Sequence, residues 1–365
     1  MSVIEKKITL FIASLSSGGA EHQMTFLANF LSEKGCDVEL VTYSDVEDCY
    51  SVSVKVSRIH LSPNKAVWKK LLSVFCYYQK TKSDCVISFG TRDNCFTLFS
   101  LLFRPSVKCI ASERCAFWGK KKWHQLMNYY ILYRRAAVIV TNSHAQRKDI
   151  MAAYPRYKDK LITITNYTDT SIYKVLPSPN NAPIQIGIFC RYMPQKNYVA
   201  FAKAVKILKE KSKIPFHITW YGNKKLGNKA NTYYEHFCSL VKEYGIEDVL
   251  TLNDHTSKVS ELLPTFDALS LPSLIEGFSN SISEYICCGK PVLCSDVADN
   301  SLMVEDGVNG FLFDPHQAEH IADAYLRFFC LPQEKRAQMG INSRKKAEEL
   351  FDKDRFVDSY IRLLQ

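Results

Sequence analysis

The chain has 365 residues, enough for two domains of ordinary size. A hydrophobic fraction of 47% with 23% charged residues fits a folded globular protein. The longest apolar stretch, Phe96 to Phe103, falls far short of the roughly 20 residues that a membrane-spanning helix needs.

The formal charge of +10 is unevenly spread. Residues 58–160 carry 20 Lys and Arg against 5 Asp and Glu, residues 1–57 carry 4 against 8, and residues 161–365 carry 23 against 24. A basic excess confined to one middle segment points to an anionic partner on one face: phospholipid, lipid diphosphate or nucleic acid. Ordinary solubilising charge is the competing reading. The start, MSVIEKKITLFIASLSSGGAE, has a short apolar part that runs into a glycine turn, so it does not read as a signal peptide. None of the 13 cysteines lies in a Cys-x-x-Cys pair, which leaves a zinc or redox motif without support. Cys190 and Cys294 sit inside apolar runs, where cysteine behaves as a small hydrophobe, and a reducing compartment is expected.

KITLFIASL reads as a buried strand, followed by an SSGGAE turn. Ala20, Met24, Leu27, Ala28 and Leu31 then mark one face of a helix closed by Gly35. Further strands are expected at DVELVTY, CVISF, VKCIAS, AVIVTN and LITITN, with helical stretches between them. Pro177-Ser-Pro-Asn-Asn-Ala-Pro183 interrupts the alternation and reads as a linker. The alternation restarts with IQIGIFC, FHITWYG, VLTLN, DALSLPS and PVLCSD, and a helical pattern (Phe351, Phe356, Tyr360, Leu363) ends the chain. The expected architecture is α/β, with two doubly wound parallel sheets covered by helices. The expected boundaries are a first domain over 1–176, a linker over 177–183, a second domain over 184–347 and a terminal helix over 348–365 returning toward the first domain.

Three patterns carry chemistry. In PSLIEGFSNSISEYICCGKPVLCSD, a strand precedes Glu276 and Glu284, and a helix should begin near Ser279 or Asn280, both good caps. The free N–H groups and dipole of that helix end suit a diphosphate, with Glu276 before the helix and Glu284 in its second turn. The same spacing also fits a helix end with two solvated acids. In CRYMPQKNY, Arg191 follows a strand and Lys196 stands near a helix start. A cation there opposes the dipole, so two of them suggest a bound anion, phosphate first; a solvated loop pair is the alternative. In SSGGAE, Gly18 and Gly19 let backbone approach a ligand, although the pattern is not G-x-G-x-x-G and fits a plain turn equally well.

Together these motifs, with EDGVNGFLFDP near residue 310, resemble the retaining "group one" glycosyltransferases of the glycogen-synthase-like class. The resemblance spans essentially the whole chain and is closest to bacterial enzymes that build lipid-linked polysaccharides such as O-antigen, lipopolysaccharide or capsule. It implies the GT-B fold, two Rossmann-like domains facing a central cleft. It further implies transfer of a hexose or N-acetylhexosamine from a UDP- or GDP-linked donor to a lipid-linked saccharide, with retention of configuration. Arg191 and Lys196 would then neutralise the diphosphate, and Glu284 would bind the ribose hydroxyls. Glu276 would contact the donor sugar, with the backbone N–H groups of Gly277, Phe278 and Ser279 around sugar and phosphate. Gly18 and Gly19 would border the reaction centre from the other domain. No metal or other cofactor is implied, and Asp352-Lys353-Asp354 reads as a charge pair at a helix start.

The sequence also departs from the family. Where many relatives place a histidine that contacts the sugar, it reads IASERCAFW, and Arg114 there cannot act as a base at neutral pH but could hold a phosphate or sugar oxygen. Where relatives often have Gly-Pro or Gly-Gly after the second glutamate, it reads Asp296-Val-Ala-Asp299-Asn300. His22 reads as an exposed helix residue. KAVWKKLLSVFCYYQKTK (65–82) and FWGKKKWHQLMNYY (117–130) mix lysine with aromatic residues, as interfacial helices do. They also fit helices with one side in the core. The expected partners are a nucleotide sugar, a lipid-linked saccharide and an anionic membrane surface, not nucleic acid, with the protein peripheral on the cytoplasmic face of the cell membrane. A sugar-nucleotide epimerase on the same fold, or a non-catalytic binder of anionic surfaces, is the alternative.

Overall fold

A computed structural model describes residues 6–16, 18–61, 66–114, 123–177, 183–226 and 229–365. The chain forms two compact units, Met1–Tyr167 with Lys353–Gln365, and Thr168–Asp352.

The first unit runs β1 (Lys7–Phe11), α1 (Gly19–Glu33), β2 (Asp37–Thr42), β3 (Ser57–His60), α2 (Val67–Lys80), β4 (Cys85–Phe89), α3 (Thr91–Ser100), β5 (Lys108–Glu113), α4 (Trp123–Tyr130), β6 (Val138–Thr141), α5 (His144–Ala153) and β7 (Leu161–Thr163). Its strands form one parallel sheet in the order β3-β2-β1-β4-β5-β6-β7. The central strands are covered on both faces, which is why KITLF and CVISF are nearly continuous apolar runs. β3 is the exposed edge, and its polar SRIH gave no strand signal in the sequence. The core packs Phe11 against Tyr43, with ring centroids 5.4 Å apart.

The second unit runs β8 (Ile184–Phe189), α6 (Tyr198–Lys211), β9 (Phe216–Gly222), a short hairpin of β10 (Lys225–Leu226) and β11 (Lys229–Ala230), α7 (Thr232–Glu243), β12 (Leu250–Asp254), α8 (Val259–Leu262), β13 (Ala268–Leu271), α9 (Asn280–Cys287), β14 (Val292–Ser295), α10 (Asn300–Met303), β15 (Gly310–Phe313), α11 (Ala318–Phe329) and α12 (Gln333–Leu350). Its main sheet is parallel in the order β12-β9-β8-β13-β14-β15. Fully buried Trp220 on β9 packs edge-on to Phe201 of α6 and Phe237 of α7. Both sheets are therefore doubly wound and Rossmann-like. The strand order reverses between β1 and β4 in the first and between β8 and β13 in the second, the positions where open α/β sheets take ligands.

The division between units falls at 167/168, earlier than the proline-rich stretch suggests. Residues 168–176 are tied to the second unit: Arg344 donates to the carbonyls of Thr170 (3.0 Å) and Tyr173 (3.3 Å), and Lys290 to that of Leu176 (3.0 Å). Residues 178–182 of the expected linker lie outside the described residues. The terminal helix α13 (Lys353–Leu364) starts five residues later than expected and belongs to the first unit. There Phe356 packs on Phe30 and Tyr167, while Lys353–Glu33 (2.5 Å) and Asp354–Lys34 (2.6 Å) pair at the exposed rim. Exposed pairs of this kind contribute about 0–1 kcal/mol, so ring burial carries the docking.

Candidate active site

In the second unit the chain leaves β8 at Phe189 and reaches α6 through Arg191, a 3-10 turn (Pro194–Lys196) and Asn197. Asn197 adopts the left-handed conformation (φ 60°, ψ 32°), which asparagine tolerates, and its side chain donates to the Pro315 carbonyl at 2.7 Å. This locks the turn with Lys196 at its end. The neighbouring strand β13 leads through Ser273–Phe278 into α9, where Ser279 is the N-cap and accepts from the Ile282 N–H at 3.4 Å. The two connections are tied together. Leu274 N–H donates to Gln195 O (2.9 Å), Ser281 Oγ donates to Phe189 O (3.2 Å), and Phe189 N–H donates to Tyr285 Oη (2.9 Å).

This arrangement brings Lys196 Nζ to 2.5 Å from Glu276 Oε1, with both side chains largely sheltered. Burial alone pulls the Lys196 ammonium down, but the Glu276 carboxylate outweighs it and raises the lysine pKa, while the Arg191 charge opposes that rise. Arg191 is exposed and makes no ion pair among the described residues. Two cations thus repel across one turn, and only one of them is neutralised. The first turn of α9 adds backbone N–H groups that have no intrahelical partner and a positive dipole end. Gly277 is partly exposed, whereas the Phe278 ring is buried and packs edge-on to Phe351, so Phe278 presents only backbone here. Glu284 lies in the second turn of α9. The residue is partly exposed, yet its carboxyl is deep enough for desolvation to push its pKa up to about 7, with a hydrogen bond from Tyr173 acting the other way.

Two family models cover most of the chain. The model described as Glycosyl transferases group 1 matches residues 176–346, and that of Glycosyltransferase Family 4 matches residues 17–172. The chain belongs to the group 1 glycosyltransferases. It is 22% identical over 310 residues to the N-acetylgalactosamine-N,N'-diacetylbacillosaminyl-diphospho-undecaprenol 4-alpha-N-acetylgalactosaminyltransferase of Campylobacter jejuni, covering 80% of this chain and 81% of that one. It is 29% identical over 138 residues to the Escherichia coli UDP-Gal:alpha-D-GlcNAc-diphosphoundecaprenol alpha-1,3-galactosyltransferase, a match to 38% of this chain and 34% of that one. In fold it is similar to HepE of Anabaena solved in complex with UDP, with a TM-score of 0.80, 17% identity, and 98% of this chain and 99% of that chain covered. The two Rossmann-like units are those of the GT-B glycosyltransferases.

Gly18 and Gly19 belong to the first unit of this glycosyltransferase, at the carboxyl edge of β1, next to its switch point. Gly18 is the extended N-cap of α1 (φ −155°, ψ 157°), and Glu21 folds back so that a Cβ at Gly18 would meet its Oε2 at 2.1 Å. Ser17 lies outside the described residues. The other seven expected site residues stand together at the β8/β13 edge of the second unit.

Two expectations are corrected. His22 is not exposed: it is half-buried, stacked on Tyr50 at 4.5 Å, and burial lowers its pKa. Arg114 is engaged inside the first unit through both Nη atoms, while its buried Nε has no hydrogen-bond partner among the described residues. Its guanidinium lies 3.7 Å over the Phe89 ring and donates to Asn166 Oδ1 (3.1 Å) and Tyr360 Oη (2.5 Å), so it holds α13 in place. Beside it, Glu113 is a buried carboxyl pushed up to about 7 by desolvation, bonded to the Thr91 and Tyr133 hydroxyls.

Sequence reasoning missed three features near the β8/β13 edge. Tyr173, distant in sequence, acts to lower the Glu284 pKa against the effect of burial. Ala298, in the Asp296–Asn300 stretch, holds a left-handed backbone (φ 50°), which costs a residue with a Cβ roughly 1–2 kcal/mol. The buried Ser273 Oγ and Asn300 Oδ1 have no hydrogen-bond partner among the described residues. The only legible signal for any of these was the missing glycine at Ala298.

Proposed function

We propose that this glycosyltransferase moves a hexose or N-acetylhexosamine from a nucleotide diphosphate sugar to a lipid-linked saccharide with retention of configuration, in surface polysaccharide synthesis such as O-antigen or lipopolysaccharide. The observation that carries this reading is the pair of cations at the β8/β13 switch point, one paired to Glu276 and one unpaired, beside the N-terminus of α9. In the reaction, the bond from sugar C1 to the diphosphate oxygen breaks and a bond from C1 to an acceptor oxygen forms. The acceptor proton passes to the departing phosphate. Arg191, Lys196 and the N–H groups of Gly277, Phe278 and Ser279 stabilise the charge that leaves with the nucleotide. Glu284 accepts hydrogen bonds from the ribose hydroxyls, and Glu276 holds the donor sugar. UDP is the first nucleotide to test, since HepE was solved with it, and the lipid-linked acceptor follows the names of the Campylobacter jejuni and Escherichia coli relatives.

No metal enters this scheme, because the side-chain cations and the helix end supply the positive charge. Incubation with UDP- and GDP-sugars in chelator, with and without bacterial lipid extract, is expected to release nucleotide only when lipid is present. Loss of turnover in chelator with restoration by magnesium or manganese would overturn the metal-free scheme. Conversion of donor without any acceptor would favour an epimerase.

The anionic membrane surface is the third partner we infer, with the enzyme peripheral on the cytoplasmic face. Part of the basic excess serves the fold instead. Arg104 caps the last carbonyls of α2, Arg135 binds those of Leu101, Arg104 and Val107, and Lys160 binds those of Arg134 and Ala136. Lys69, Lys80, Lys82, Lys148, Arg156 and Lys158 remain exposed. α2 buries only Val74 and Tyr78, and α2, α3 and α4 pack side by side. Trp68 (63% exposed), Phe103 (65%) and Trp123 (55%) stand out on this unit, whereas the second unit exposes no Trp or Phe to that degree among its described residues. Lys120, Lys121, Lys122 and Trp118 lie outside the described residues. Sedimentation with anionic vesicles is expected to retain the protein, less so in high salt. Trp68→Ser with Phe103→Ser should weaken that binding. Equal binding to neutral vesicles would remove the electrostatic part of this reading.

A further inference from the structure

The outer edge of the first sheet carries polar chemistry that the β8/β13 site does not use. β3 is the edge strand, and a strand turns alternate residues to one face, so Arg58 and His60 share a face. In the parallel register the buried Thr42 of β2 lies beside His60. Thr42 Oγ1 is 3.0 Å from His60 Nδ1, and His60 Nε2 is 3.0 Å from Asp45 Oδ1. A carboxylate only accepts, so Nε2 donates to Asp45, and in the neutral ring Nδ1 accepts from the Thr42 hydroxyl. Arg58 pairs with Asp48, and Ser44 Oγ accepts from Lys70 Nζ at 3.4 Å. Thr42, Ser44, Asp45, Asp48, Arg58 and His60 line a cleft of about 480 Å³, with Val46 and Ile59 as its apolar members among the described residues. The loop after β2 that forms this cleft also braces the glycine turn of the same unit. Tyr43 and Ser44 N–H both donate to Ala13 O (3.1 and 2.8 Å), Cys49 N–H donates to Leu15 O (2.9 Å), and Tyr50 Oη donates to Gly18 O (3.4 Å).

We propose that the cleft at the carboxyl ends of β2 and β3 is a saccharide subsite that holds a sugar ring of the acceptor. The proposal rests on the saccharide acceptor and on the place given to Gly18 beside the reaction centre above. Its size is that of small-molecule sites, which run from roughly 300 to 1,000 Å³. Neighbouring hydroxyls of a sugar ring each present a donor and an acceptor, and the cleft supplies both kinds: carboxylate oxygens that accept, a guanidinium that donates, and hydroxyls that do either. Other ligand classes fit less well. The lining residues carry no surplus of positive charge for a phosphate, because Asp45 and Asp48 face a single arginine that is already paired. Two apolar side chains give a lipid chain or a nucleobase little surface to bury against. The polar groups are also held before any ligand arrives, His60 at both ring nitrogens and Arg58 by Asp48, so little side-chain freedom is lost on binding.

The test compares the wild type with Asp45→Asn, His60→Gln and Val46→Trp in three measurements: transfer from UDP- and GDP-sugars as a function of bacterial lipid extract, UDP affinity by calorimetry, and retention on anionic vesicles. Val46 is 54% exposed and lines the cleft, so a larger side chain there obstructs it without entering the core. Each variant is expected to need about tenfold more extract for its half-maximal rate, the scale of one hydrogen bond to a charged group. The rate at saturating extract, the UDP affinity and the vesicle retention should stay those of the wild type. His60→Gln removes a bridge between β2 and the loop after it, so its melting temperature is expected to fall, while Val46→Trp should melt as the wild type does and keeps the test independent of folding. Normal transfer with an unchanged extract dependence in Val46→Trp and Asp45→Asn would overturn the subsite alone. A matching loss of vesicle retention would assign the cleft to the membrane surface, and a matching loss of UDP affinity would assign it to the donor; either overturns the proposal. No transfer by the wild type would overturn the acceptor reading itself and the subsite with it.

Discussion

Arg191→Ala is expected to lower turnover by about 10²–10³-fold, the loss seen when one stabiliser of developing charge is removed. Its melting temperature should be that of the wild type, because the guanidinium is exposed and makes no ion pair among the described residues. Lys196→Ala is expected to cost as much in turnover for a different mix of reasons. Its ammonium is 2.5 Å from Glu276, and both side chains are sheltered, so removing it leaves a partly buried carboxylate without its partner. Lys196→Ala should therefore melt lower as well, and the gap between the two variants should narrow when Glu276→Gln is added to both. Steady-state kinetics with calorimetric melting checks both variants. Near wild-type turnover in Arg191→Ala would remove that residue from the site.

Glu284→Ala carries the second large effect. Nucleotide binding should weaken by about 1.5–3 kcal/mol, the range for hydrogen bonds to a charged group. Stability should move in the opposite direction. A carboxyl held near pKa 7 in the folded chain and near 4.5 in the unfolded one takes up a proton on folding between those values. Its contribution is therefore present below pH 4.5 and lost as the pH rises through about 7. Above that pH the wild type bears a desolvated carboxylate that the variant lacks. The variant should melt no lower than the wild type at pH 8 while binding UDP more weakly. Unchanged UDP affinity in a folded Glu284→Ala would remove the ribose contact.

The parts of this arrangement that were legible in the sequence share one property: they are fixed by neighbours within a few residues. The β1 and β4 strands are apolar because both faces are covered, and the start of α9 at Ser279–Asn280 follows from a local cap. The position of Arg191, Lys196 and Glu276 also follows from alternation, since each stands in the connection that leaves a strand, whereas Glu284 follows from the helix that starts at Ser279–Asn280. What stayed hidden depends on contacts far along the chain. The unit boundary is set by Arg344 and Lys290, more than 110 residues from the Thr170, Tyr173 and Leu176 carbonyls they bind, so a proline count could not find it. β3 is polar because an edge strand has an open side. Arg114 pairs with Tyr360 across 246 residues, and in the sequence it offered no sign that its charge was already engaged.

The first unit is discontinuous, completed by Lys353–Gln365, with Phe356 and Tyr360 filling a space left by α1 and by the Arg114–Phe89 stack. On the ribosome, α13, which finishes the first unit, is therefore made only after the second unit. At about 5–20 residues per second, the whole of Thr168–Asp352 is made in the interval, roughly 10–40 s during which the first unit has Phe30, Phe89 and Tyr167 uncovered. Nascent chains of this protein should depend on chaperones and be cut readily by proteases until α13 arrives. A change that hinders α13 would damage the first unit, although in the chain the helix follows the second.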